Sequence, residues 1–297
     1  MPRSDRPADR GLLGGIVAVA ILTVLGSVGI VAFGWLDRAP VTAGRQPTVP
    51  AVPRAPILDP VPTIPAGESA LHTMTVPGAD ACPNFRQRHH EVPDAELKGY
   101  LSSMLDCLMT VNQPAFAAAK TDRRRPGLAP GAAVAASGCV SEIDRPADWA
   151  GLYCPANATI YFRTDWSPDE SVQYLDVMIH EFSHHLQNEA AILASVTAEE
   201  EAALSQPNGT IRVQDLSRRV ELQAECLTGV MLGPNGPMAV PSWQLDDLVE
   251  YRSSVPPEWA ATHGSGRAQT RWFERGAYAD GRYAVCNTFV AASALVE

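Results

Sequence analysis

SPDESVQYLDVMIHEFSHHLQN, residues 167–188, is the stretch from which the rest of the chain is best read. It opens as a helix should: Ser167 suits an N-cap, Pro168 the first helical position, and Glu170 stands where it can reach back to the cap. Val172, Leu175, Ile179, Phe182 and Leu186 follow at helical spacing, so one side of the helix is predicted to be buried. From another side His180 and His184, four residues apart, project together. With Glu181 after the first histidine, the pattern is HExxH. The spacing suits Zn2+, which takes imidazole nitrogens at about 2.0–2.1 Å and in catalytic sites keeps one tetrahedral position for water. Glu181 is placed to accept a proton from that water. Two ordinary histidines on an ordinary helix produce the same short pattern, so a third ligand has to be found.

It is sought in DLSRRVELQAECLTGVMLG, residues 215–233, where Leu216, Val220, Leu227 and Val230 predict a second helix and Gly233 its terminator. Glu221 and Glu225 stand one turn apart on it. One carboxylate completes a His2Glu set, and the other can accept the Nδ1 proton of a ligating histidine. Glu221 is read as the ligand and Glu225 as the acceptor from His180, although the spacing alone also admits the reverse. His185 points about 100° away from the pair, so it is expected to support a ligand or to pack rather than to ligate. His72, His89 and His90 are read as surface residues.

The remaining chain sets the context. It has 297 residues, 46% of them hydrophobic, and a net charge of -10, enough apolar content for a substantial core and no basic excess for a nucleic-acid partner. Residues 11–36 carry no charge and as a helix extend about 39 Å, so they predict one membrane anchor. Arg3, Arg6 and Arg10 keep residues 1–10 in the cytoplasm and put the remainder across the cell membrane. A proline-rich spacer follows over residues 37–67, and residues 68–297 read as one globular domain. Within it a helix is predicted over 94–111, with Leu97, Leu101, Met104, Leu105 and Leu108 on its apolar face, and a strand over 158–163. That strand is either a docking edge for an extended peptide or an ordinary core strand. All 6 cysteines lie beyond residue 80, and the pairing of nearest plausible partners is Cys82–Cys107, Cys139–Cys154 and Cys226–Cys286.

Several separated blocks, HEFSHHLQ (180–187), RVELQAEC (219–226), THGS (262–265), QTRWFERG (269–276) and CNTF (286–289), resemble the bacterial putative neutral zinc metallopeptidase family, in order from about residue 139 to 289. The resemblance implies an α+β, mainly helical zincin-like domain with a small sheet, and zinc held by His180, His184 and Glu221 with Glu181 as base. The chain departs from the family pattern with Ser183 in place of glycine and Glu225 in place of aspartate. Peptide hydrolysis passes through an oxyanion. His263 is the candidate to stabilise it, with Tyr278 and Tyr283 behind. Two rival readings share the zinc site: a non-catalytic zinc-binding envelope protein, and a zinc amidase acting on cell-wall peptides.

Overall fold

The apolar face predicted for residues 94–111 forms helix α1 (Asp94–Val111), with Leu97, Leu101, Met104, Leu105 and Leu108 all buried. The computed structural model describes residues 64–78, 81–82, 85–87, 94–121, 124–139, 150–163 and 171–297. The anchor at 11–36, nearly all of the spacer, the cap residues Ser167, Pro168 and Glu170, and His89 and His90 lie outside them. Among the described residues no helix is long and apolar enough to cross a membrane.

The architecture is α+β, mainly helical with one small sheet. After α1 come α2 (Gln113–Ala119), strands β1 (Gly127–Pro130), β2 (Gly151–Cys154) and β3 (Thr159–Phe162), then α3 (Ser171–Glu189) and α4 (Ile192–Leu204). The chain continues through α5 (Gly209–Leu232), α6 (Ser242–Ser253), the single turn α7 (Ala260–His263) and α8 (Gly266–Ala277), and ends in short 3-10 turns.

Helix α3 buries the side its sequence marks: Val172, Leu175, Ile179, Phe182 and Leu186 are each at most 2% exposed. Burying five such side chains contributes about 2 kcal/mol apiece. Phe182 also meets Phe116 edge to face, with centroids 6.4 Å apart. Helix α5 is the hub, packing on α3, α4, α7 and α8. It meets α8 backbone to backbone: a Cβ at Gly229 would strike the Phe273 carbonyl, and one at Gly276 the Cys226 carbonyl. Gly233 ends α5 in extended geometry, not the left-handed one expected of a terminator; a Cβ there would strike the Ala277 carbonyl.

The sheet runs β1-β3-β2, with β1 parallel and β2 antiparallel to β3. The predicted strand is therefore the central one. Both its edges are paired, which removes it as a docking edge for peptide and leaves it as the core strand of the alternative reading. Among the described residues the outer edge of β2 pairs with no strand, and β2 packs against α3. The disulfides join Cys82 to Cys107, Cys139 to Cys154 and Cys226 to Cys286, the nearest-partner set.

Candidate metal centre

One turn of α3 lifts His180 and His184 to the same side, with ring centroids 4.9 Å apart. Helix α5 crosses that side and presents Glu221. His180 Nε2 lies 3.2 Å from Glu221 Oε2 and 3.2 Å from His184 Nε2, and the third side of the triangle, His184 Nε2 to Glu221 Oε2, is 3.5 Å. Ligands about 2.0–2.1 Å from a tetrahedral ion stand about 3.3–3.4 Å from one another, so the three atoms outline one face of such a site. Glu221, rather than Glu225, faces both Nε2 atoms.

The opposite ring nitrogens are held in a way that leaves Nε2 available. His180 Nδ1 lies 3.3 Å from Glu225 Oε1, and His184 Nδ1 donates to Gln187 Oε1 at 2.8 Å. A proton fixed on Nδ1 leaves the Nε2 lone pair for a cation. Gln187 is held in turn, donating to the Val220 carbonyl and to Gln223 Oε1. Gln223 donates to His72 Nε2 and to the Cys286 carbonyl. His72 is thus no surface residue. It is 8% exposed, and burial lowers its pKa to about 4.

The electrostatics fit a cation. Burial by itself disfavours the His180 imidazolium, but Glu221 and Glu225 override it and raise its pKa well above the ordinary value. Burial likewise disfavours the Glu221 carboxylate; His184, His263 and His180 override it and hold the group well below the carboxylate range. Behind Glu225 stands a buried trio. Arg252, 2% exposed, donates from Nε to Glu225 Oε2 and from Nη2 to Asp176 Oδ1, both at 2.6 Å. It also donates from Nη1 to the Leu248 carbonyl, and its guanidinium lies 3.9 Å from the Phe273 ring centroid.

Glu181 is positioned by the sheet. Its Oε2 accepts the Tyr153 backbone N–H of β2 at 2.7 Å, so the open strand grips the candidate base. The strand comes this close because Gly151 has no side chain. A Cβ there would stand 2.6 Å from Val177 Cγ1 and 2.9 Å from Glu181 Cγ. Gly151→Ala is expected to push Glu181 aside and lower kcat about tenfold, since sub-ångström displacement of a reacting group is costly. Zinc content should be unchanged, and steady-state kinetics with metal analysis on the purified variant would check both.

The other predicted residues divide. His263, at the end of α7, comes to the site: its Nε2 is 3.8 Å from Glu221 Oε2 and its Nδ1 2.8 Å from Thr262 Oγ1. Tyr283 is a core residue bonded to Asn112, and Tyr278 is 68% exposed, so neither is drawn to the histidines by any described contact. His185 packs, as expected: it is fully buried between Phe116, Tyr153 and Phe182, bonded to Tyr153 Oη and to the Arg124 carbonyl. Burial lowers its pKa to about 4. Ser183 spends its hydroxyl on the Ile179 carbonyl at 2.8 Å and does not crowd the metal side.

The sequence model of the putative neutral zinc metallopeptidase family matches residues 83–234, which carry His180, Glu181, His184, Glu221 and Glu225. The chain belongs to that family. The match ends before THGS, QTRWFERG and CNTF, so within this chain His263 stands on its geometry. Relatives include the uncharacterized protein YpfJ of Escherichia coli (strain K12), 31% identical over 160 residues, covering 46% of this chain and 53% of the relative. An uncharacterized protein of Mycobacterium tuberculosis (strain H37Rv) is 28% identical over 175 residues, covering 48% of this chain and 55% of the relative. The chain thus spans about half the length of the curated relatives it matches. No solved structure matches it significantly.

Proposed function

We propose that this chain is a zinc-dependent peptidase in which His180, His184 and Glu221 hold the ion and Glu181 is the general base. The observation that carries the reading is the triangle of His180 Nε2, His184 Nε2 and Glu221 Oε2, with both Nδ1 atoms tied back. Zinc, when bound, supplies Lewis acidity toward a peptide carbonyl and acidifies water. Glu181 takes the proton of the attacking water and returns it to the leaving amine. Its Oε2 is engaged by Tyr153, and Oε1, without a hydrogen bond among the described residues, is the atom assigned to the proton. His263 hydrogen-bonds the oxyanion from its Nε2.

An extended peptide is assigned to the outer edge of β2, which pairs with no strand among the described residues; backbone pairing there tolerates many side chains and sets the scissile bond beside Glu181, whose bond to the Tyr153 N–H the peptide would adjoin. The enzyme is further assigned to the cell membrane, anchored by residues 11–36 with the peptidase domain outside the cytoplasm. The three disulfides support an oxidising compartment.

The test uses the full chain in detergent. One zinc per chain and cleavage of a mixed peptide library are expected, with cleavage falling to background on chelation and returning with added zinc. A chain that binds no zinc, or cleaves equally after exhaustive chelation, overturns the reading. Zinc binding with no cleavage favours the envelope-protein rival, and cleavage confined to peptidoglycan fragments favours the amidase.

A further inference from the structure

The trio of Asp176, Arg252 and Glu225 has no part in holding the ion directly, yet it is built with care. Its members come from α3, α6 and α5, and their side chains meet beside His180. A guanidinium with almost no exposure is costly to bury, and here it is matched on two sides by carboxylates and on a third by the Leu248 carbonyl. Glu225 splits its two oxygens between Arg252 and His180 Nδ1. The carboxylate therefore cannot turn away from the ring without also breaking its bond to Arg252.

We propose that Arg252, fixed by Asp176, is a positioning residue for the zinc ligand His180 and acts through Glu225. The inference rests on the zinc reading above. A free Glu225 could rotate about its side-chain torsions and offer His180 Nδ1 several geometries. The planar fork of Arg252 clamps one of them, because its Nε and Nη2 fix Glu225 and Asp176 at once. Helix α6 thereby contributes to metal affinity without supplying a ligand.

Arg252→Lys keeps the buried charge but cannot span both carboxylates, so it is the informative variant. Zinc dissociation constants are read by competition with a chromophoric chelator. Since partners of ligating histidines typically set metal affinity by 10–100-fold, Arg252→Lys is expected to weaken zinc binding about tenfold. In a Glu225→Gln background the same substitution should change the constant less than twofold, because the link to His180 is already cut. A merely structural role would lower the apo-protein's thermal midpoint and weaken zinc equally in both backgrounds, which overturns the proposal. So does an Arg252→Lys constant within twofold of wild type. Asp176→Asn, nearly isosteric, is the second variant: about threefold weaker binding is expected in the wild-type background and none further in Glu225→Gln. If it too leaves the wild-type constant unchanged, the proposal fails. A wild-type chain that binds no zinc would refute the underlying reading instead.

Discussion

Glu181→Gln is expected to lower kcat for peptide hydrolysis by about a thousandfold, the middle of the range for losing a positioned general base, and to leave zinc binding at one ion per chain. The amide matches the carboxylate in shape, and its oxygen can still accept the Tyr153 N–H that holds Glu181 at 2.7 Å. The strand, the helix and the three metal-facing atoms should therefore stay in place. Only the capacity to take a proton is removed. Steady-state rates, metal analysis and circular dichroism on the same preparation check the three parts of the expectation. Residual activity within tenfold of wild type, with zinc bound, would mean that water is activated by another group, and the role given to Glu181 would be wrong. Comparison with Gly151→Ala separates loss of the base from its displacement.

Removing the Cys226–Cys286 bridge should cost the largest amount of stability. The bond closes a separation of 60 residues, and chain-entropy scaling puts its contribution at about 4 kcal/mol at 25 °C. Both cysteines are fully buried, so Cys226→Ala with Cys286→Ala also removes packed sulfur from the core. The bridge works beside other ties between α5 and the C-terminal segment. Arg219 donates to the Thr288 and Ala291 carbonyls, and Thr288 Oγ1 donates to the Arg219 carbonyl. These keep the end of the chain in place after the sulfurs are gone, so the double variant should fold but unfold at lower denaturant. Urea titration of the apo-protein reads the change. A loss under about 1 kcal/mol would show that those hydrogen bonds, not the disulfide, constrain the segment.

What could be read without coordinates was whatever the chain encodes locally. Helices α1 and α3 repeat apolar residues every third or fourth position, and the metal-facing residues sit one turn apart on their helices, so period and spacing located them. Gln187 could have been found the same way, since it lies three residues beyond His184 on the same face. Helix α5 begins at Gly209, six residues before the Asp215 that its apolar pattern indicates, because its first turns carry little apolar signal and Ile211 is 66% exposed. Strand β1 reads GLAP, whose glycine and proline argue against a strand; it forms through long-range pairing with β3. The same limit hid Arg252. An arginine on a helix reads as solvated, and its partner Asp176 is 76 residues away with nothing nearby to announce it. The burial of His72 is hidden for a similar reason: its partner Gln223 is 151 residues distant. The predicted strand at 158–163 was found, but whether a strand is central or marginal depends on its neighbours, and these come from elsewhere in the chain.

The hydrogen bond from Tyr153 to Glu181 means that β2 and the base are geared together. A guest chain laid along that rim would tug on the same amide, so its fit would be felt at the proton acceptor before any bond is broken. Poorly seated guests would then be turned over slowly even when held tightly, and selectivity would surface in turnover number more than in affinity.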